Sequence, residues 1–329
     1  MLGKRLGVDL GAGTLRVVVR GEGQIVAEPS LVARHRRRGY AAAGLDALEL
    51  AGDPDMELVR PIRGAAIIDR DGLAALLQRV INRSAGRQRI FRPDVLIAVS
   101  PQLSDADRLT ILETCAHLGT RTASLIDSPT AAALGAGHSF NGPRAHLAAD
   151  LGAGTIDVAC VAAEGTIAGR GLTRAGDALR TSLSRRLEET HGLAIDAAAA
   201  EEVIASLACV GAHEERRLPV RSSWSGREEA VSIASTEIAD LVDEHARRVS
   251  GVIREVIEEV PPVLRREIVE EGVTLCGGGA RLEGLDRSVS AQAGCPARVA
   301  PDPQTCVIRG TQLAVETLDF LKRSFVYIR

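Results

Sequence analysis

Asp9-Leu10-Gly11-Ala12-Gly13-Thr14 returns letter for letter as Asp150-Leu151-Gly152-Ala153-Gly154-Thr155, each copy preceded by a short apolar run and followed by a β-branched one. Around the first copy the pattern reads as a strand over 5–9, a tight turn over 10–13 and a returning strand over 14–20, with a second turn at 21–23. The second copy repeats the plan with a strand over 146–150, a turn over 151–154 and a return over 155–163. A lone copy is explained by turn chemistry, because Asp and Gly satisfy a hairpin unaided. An identical six-residue repeat is more than turn geometry demands, and it predicts two similar halves closing on one ligand. Glycines let backbone N–H groups approach phosphate oxygens unobstructed. The acid ending each strand would repel bare phosphate but suits the hydration shell of a Mg²⁺ that bridges phosphates, so Asp9 and Asp150 are the candidate metal residues.

Working outward, a third glycine cluster, Gly277-Gly278-Gly279, follows an apolar strand over 272–276 and precedes a helix expected over 280–288. That arrangement lets backbone pass close to a flat ligand and a helix N-terminus face an anion. Helices are expected at 72–83, at 104–117 behind a Ser104/Asp107 capping box, near 177–191 and 196–209, and over 235–260. A buried strand is expected at 94–99 and a closing helix over 303–321 that packs across the first half. Residues 34–55, with the basic patch from Arg34 to Arg38, and the polar stretch 212–229 read as irregular.

The three motifs, in this order and at these separations, resemble the two phosphate loops and the adenosine loop of the actin, Hsp70 and sugar-kinase superfamily. Longer stretches are similar to bacterial actin homologues of the MreB/Mbl type: Ala27-Glu28-Pro29-Ser30-Leu31-Val32-Ala33, Val59-Arg60-Pro61-Ile62-Arg63-Gly64, Asp127-Ser128-Pro129-Thr130-Ala131-Ala132-Ala133-Leu134-Gly135, Ala175-Gly176-Asp177 and residues 276–285. The likeness runs from near residue 5 to near residue 316. It implies an α/β, actin-like (ribonuclease H-like) duplicated fold with two lobes around a nucleotide cleft. Lobe I would span 1–143, with a small outer subdomain near 34–58; lobe II would span 144–320, with an outer subdomain near 180–245; 321–329 would be a tail.

The resemblance further implies ATP and Mg²⁺ as ligands. Gly11, Ala12, Gly13 and Thr14 with Gly152, Ala153, Gly154 and Thr155 would hold phosphates. Gly277, Gly278 and Gly279 with Gly176, Asp177 and Glu201 would face ribose and adenine. Implied partners are further copies of the chain in filaments, the inner membrane surface and the cell-wall synthesis machinery, with an MreB-like paralogue as an alternative partner. The implied role is a cytoskeletal one in cell shape.

Three positions depart from the family pattern. Where the family carries a glutamate that orients the attacking water, this chain has Ser128, with Asp127 before it. Phosphoryl transfer depends on positioning the nucleophile, so at most a slow ATPase is expected. Ser128 followed by Pro129 also reads as an N-cap and first helical position of a helix over 129–135. Ala12-Gly13-Thr14 is closer to the actin or kinase style than to the usual MreB loop. Ile204 stands where the family places a lysine near the nucleotide. These departures keep a non-hydrolysing regulator that co-assembles with a paralogue as the alternative function. A small-molecule kinase of the same superfamily ranks lower, because no segment supplies an evident catalytic base with a small-substrate pocket.

At 329 residues the chain fits two lobes, and its 45% apolar content fits a fully globular protein. A net charge of −3 gives no general attraction to nucleic acid, which is excluded as a partner class. No run reaches 18 apolar residues and residues 1–7 are too short for a signal peptide, so a cytoplasmic protein is expected, peripheral at the membrane. Ile90 and Phe91, set among Arg87, Arg89 and Arg92, form a candidate membrane-insertion loop; the competing explanation is that they cap the core. The tail over 322–329 reads as docked on the protein. The six cysteines read as reduced core thiols, and the seven histidines as forming no metal-ligand cluster.

Overall fold

The computed structural model describes residues 3–86, 92–140, 142, 144–163, 165–211, 214–223, 230–317 and 326–328. The two repeats open two sheets of the same design. In the first, the strand Arg5–Leu10 pairs antiparallel with Thr14–Val19, which pairs antiparallel with Ile25–Pro29. On its other side Arg5–Leu10 runs parallel to Asp94–Val99, and that strand parallel to Thr122–Asp127. In the second, His146–Leu151 pairs antiparallel with Ile156–Ala162, which pairs antiparallel with Gly165–Leu172. On its other side it runs parallel to Val273–Cys276, and that strand parallel to Ala297–Val299. Arg5–Leu10 and Asp94–Val99 are buried along their whole length, as parallel strands covered on both faces must be. The backbone of Val326–Ile328 adds an antiparallel edge strand to Thr122–Asp127, so the chain's end docks on the first sheet as expected.

Helices cover the sheets with their apolar stripes. In Arg70–Ala85, Leu73, Leu76, Leu77, Val80 and Ile81 are buried, a helical repeat of one face. Asp69 caps that helix by accepting from the Gly72 N–H at 3.0 Å. Ser104 caps Asp105–His117 through the Asp107 N–H at 3.1 Å. Ala239–Glu259 buries Ala246, Val249, Ile253 and Val256 on the second sheet, and Val242 in a separate cluster with Leu183 and Leu187.

The two halves meet where Ser128–Gly135 crosses Cys306–Thr317, around a core of Leu96, Ala131, Ala132, Cys276 and Val307. The crossing is closer than side chains permit. A Cβ on Gly135 would fall 1.8 Å from the Cys306 carbonyl oxygen, and one on Gly310 would fall 1.7 Å from that of Ala131.

Five expectations are corrected. Residues 34–55 are not irregular: Val32–His35 is the centre of a three-stranded antiparallel sheet with Gly39–Ala43 and Met56–Val59. Within 212–229, Arg217–Val220 is a strand paired with Val231–Ala234. After the third glycine cluster comes a 3₁₀ turn, Gly278–Arg281, and the helix starts only at Leu285, because Gly284 at φ 79° breaks the chain direction between them. Ser128 is not an N-cap, since Asp127 holds that position in extended backbone and the helix begins at Ser128 itself. The histidines do cluster: His138 and His146 stack with ring centroids 4.4 Å apart, and Glu271 lies beside both. The two histidines are near neighbours in sequence, but Glu271 lies 125 positions from His146, and only the fold brings it to the pair.

Candidate functional site

Strand register decides what faces each repeat's acid. Asp9 sits directly opposite Arg16, whose Nη1 lies 3.4 Å from its Oδ2, whereas Asp150 sits opposite Asp157. The same sheet position thus carries opposite charges in the two halves. Two carboxylates directly opposed across a strand pair repel. Asp157 is fully buried and accepts from Thr155 Oγ1 at 2.7 Å and Ser100 Oγ at 3.1 Å. Burial pushes its pKa up to about 7, against those hydrogen bonds and reinforced by Asp150. Burial likewise lifts Asp9 to about 7, with Asp150 adding to the rise and Arg16 opposing it. Asp150 is lifted to about 6 by burial, with Ser128 and Arg16 drawing it down. Three neighbouring carboxylates with one guanidinium leave an excess of negative charge and a donor set made only of oxygen. That set fits Mg²⁺.

Above these acids the two turns are braced by their own backbone. Gly11 has no room for a side chain, since a Cβ there would lie 2.7 Å from the Thr14 carbonyl oxygen. Ser30 Oγ donates to the Gly11 carbonyl at 2.5 Å and Arg60 Nη1 to that of Ala12 at 3.1 Å, fixing the first turn from outside. The second turn is held by the Gly152 N–H on the Thr155 carbonyl at 2.8 Å. The first N–H groups of the helix Gly176–His191 then land on it, Gly176 on the Gly152 carbonyl at 3.3 Å and Asp177 on that of Ala153 at 2.8 Å. The turns touch across the cleft: a Cβ on Gly13 would sit 2.9 Å from the Ala153 Cβ, and one on Gly154 2.7 Å from the Ala12 Cβ. The third cluster closes on the same place, with Gly277 at φ 82° and its would-be Cβ 2.7 Å from Asp150 Oδ1. Gly279 packs on Leu151, while Gly278 has only Gln304 nearby.

The structure therefore brings Asp9, Asp150, both turns, Gly176, Asp177 and Gly277 through Gly279 together. Glu201 is joined to them through Arg180, which ion-pairs with it at 2.7 Å and also with Asp177. Asp127 has its Oδ1 engaged by Arg108 Nη2 at 2.8 Å, while its charge still reaches Asp157 and helps to raise that acid's pKa. Ser128 is buried with its Oγ lacking a hydrogen-bond partner, although its hydroxyl stands near enough to Asp150 to lower that acid's pKa. Ile204 is half-buried against the core of Leu183, Val203 and Leu207, which accounts for an apolar residue there. Ile90 and Phe91 lie outside the described residues.

Sequence reasoning missed Asp157, Arg16, Arg108 and Arg180. Asp157 did leave a signal, as the one acid in the apolar strand Ile156–Ala162. Arg180 left one as well, three residues after Asp177 on one helix, whereas Arg16 and Arg108 left none, because their partners are set by register and packing.

Residues 3–323 match the family model described as MreB/Mbl protein. The chain is 28% identical to the cell shape-determining protein Mbl of Bacillus subtilis, over 98% of this chain and 99% of that one. It is 30% identical to the cell shape-determining protein MreB of Escherichia coli K12, over 97% and 95%. Among solved structures, that of MreB5 of Spiroplasma citri bound to ADP superposes with a TM-score of 0.86 at 26% identity, covering 96% of this chain and 97% of that one. The same protein bound to AMPPNP gives 0.87 at 26% identity, covering 97% and 98%. The MamK double helical filament superposes with a TM-score of 0.80 at 22% identity, over 95% and 98%, which supports the shared fold.

Proposed function

We propose, from the premise that the chain belongs to the MreB/Mbl family, that it is an actin-like protein that binds ATP with Mg²⁺ between its halves and assembles into filaments acting in cell shape and cell-wall synthesis at the inner membrane surface. The observation that carries this reading is the meeting of the two identical turns over a cluster of buried acids. Backbone N–H groups in Gly11 through Thr14 and Gly152 through Thr155 would bind phosphate oxygens, and Gly277 through Gly279 would pass along the base and ribose. Asp9, Asp150 and Asp157 would hold Mg²⁺, which supplies charge neutralisation for the phosphates. The solved MreB5 structures with ADP and AMPPNP support nucleotide as the ligand class.

Turnover is proposed to be slow, because Asp127 is engaged by Arg108 and Ser128 has no carboxylate with which to orient a water. The same two residues favour a second reading, a non-hydrolysing subunit that assembles only with a paralogue. Both readings are separated by sedimentation and electron microscopy of the purified chain with Mg²⁺ and either ATP or no nucleotide. Pelleting that requires ATP and is lost in Asp150→Ala supports the first. ATP binding with no filaments, unless an MreB paralogue is added, moves the second ahead. Absence of ATP binding overturns the first and likewise moves the second ahead.

A further inference from the structure

We propose that His138, His146 and Glu271 form a site for a Zn²⁺-class divalent transition metal, remote from the nucleotide cleft, that pins the connection between the two halves to the second half. His138 lies just beyond the helix Ser128–Gly135, in the segment that crosses from one half to the other. His146 opens the strand His146–Leu151, and Glu271 closes the helix Pro262–Glu271. Asp150 is four residue steps along the strand from His146, about 13 Å at the usual rise, so the two sites do not share ligands.

The orientation of the rings carries the proposal. Both histidines turn Nδ1 toward one oxygen, Glu271 Oε1, at 2.9 Å from His146 and 4.0 Å from His138. Each Nε2 is held from behind, that of His146 by the Ser139 carbonyl at 3.3 Å and that of His138 by Thr274 Oγ1 at 2.8 Å. A metal-bound imidazole is usually seated this way, its far nitrogen donating to an oxygen that fixes the tautomer and frees the near lone pair. A neutral His146 has one N–H for two acceptors. A metal at Nδ1 would take the place of the proton shared with Glu271 at 2.9 Å and leave the remaining N–H on the Ser139 side. The three ligand atoms lie within 4.8 Å of one another. Tetrahedral ligands about 2.0–2.1 Å from a metal are separated by roughly 3.3 Å, so small side-chain rotations complete the set. Two nitrogens and one carboxylate suit Zn²⁺ and its neighbours rather than Mg²⁺, and a water would complete four-coordination. His146 is buried and Glu271 half-buried, which leaves an entry path on the carboxylate side.

The test is a Zn²⁺ titration of the metal-stripped full chain against a chromogenic chelator, with Co²⁺ absorption reporting coordination. One equivalent bound by the unaltered chain is expected. In Glu271→Gln and in His138→Ala binding should weaken by on the order of 100-fold, and in Thr274→Val, which keeps all three ligands, by about tenfold. Asp150→Asn, in the cleft, should bind as the unaltered chain does. Circular dichroism on each variant separates lost binding from lost folding, and Thr274→Val and Glu271→Gln stand in should His138→Ala not fold. The proposal is overturned by an unaltered chain that binds no Zn²⁺ at micromolar concentration, or by variants that bind it equally well.

Discussion

Asp9, Asp150 and Asp157 show how a proposed ligand site is written as a local cost to the protein that carries it. All three have folded pKa values above the usual 3.8, at about 7, about 6 and about 7. Between these values the native chain holds protons that the unfolded chain has released. The stability contributed by the protonated forms is therefore fully present below pH 4 and is lost as pH rises through 6 to 7. Thermal melts of the nucleotide-free chain should fall from pH 5.5 to pH 8, a window in which the ion-paired acids are already fully charged. Asp9→Asn should flatten that slope and gain on the order of 1–2 kcal/mol at pH 8 while abolishing Mg²⁺-dependent ATP binding; unchanged melts across the window would contradict the buried-acid account. At Ser128 the departure from the family's glutamate has a local consequence. Ser128→Glu should raise ATP turnover by on the order of tenfold or more if a positioned water is what the chain lacks, as measured by phosphate release. A variant that binds ATP but turns over no faster would place the defect elsewhere.

Among the elements, the crossing of Ser128–Gly135 and Cys306–Thr317 inverts an ordinary rule. Alanine is favoured over glycine inside a helix by about 1 kcal/mol. Yet a methyl at Gly310 would lie 1.7 Å from a backbone oxygen, so the helices must separate to admit it. Gly310→Ala should therefore destabilise by about 3 kcal/mol, the upper end of overpacking effects, read as a lowered urea midpoint; a neutral or stabilising result would mean that the helices slide freely. This contact left no mark in sequence, where Gly135 and Gly310 are unremarkable glycines 175 positions apart. What was legible was local: the strand Asp94–Val99, the cap at Ser104, and both repeat hairpins each follow from the periodicity or chemistry of a few adjacent residues. The outer sheet around Val32–His35 was not legible, because its neighbours Gly39–Ala43 and Met56–Val59 are short, and the inner positions of the first are taken by a tyrosine and small alanines that make no strong apolar alternation. Register was equally hidden, so the opposition of Asp150 by Asp157, and of Asp9 by Arg16, emerged only with the pairing.

For the whole molecule, a ligand held by both halves should act as a clamp. Mg²⁺-ATP at 100 times its dissociation constant should stabilise the chain by about 2.7 kcal/mol, a melting shift of several degrees that Asp150→Ala removes. A shift that survives that substitution would place the nucleotide outside the proposed cleft. The matched strand orders of the two sheets carry one further consequence. Folding the same antiparallel trio and parallel extension twice creates an approximate twofold axis between the repeated turns. A nucleotide has a head and a tail and cannot itself obey such an axis. Its direction must be dictated by wherever the halves stop resembling each other. The parallel neighbour of each repeat strand is such a place: Asp94–Val99 runs into Ser100-Pro101-Gln102, while its counterpart Val273–Cys276 runs into Gly277-Gly278-Gly279. One end of the cleft is thereby furnished with side chains and the other left bare. Directionality in an assembly of such subunits would then begin as a broken symmetry three residues long.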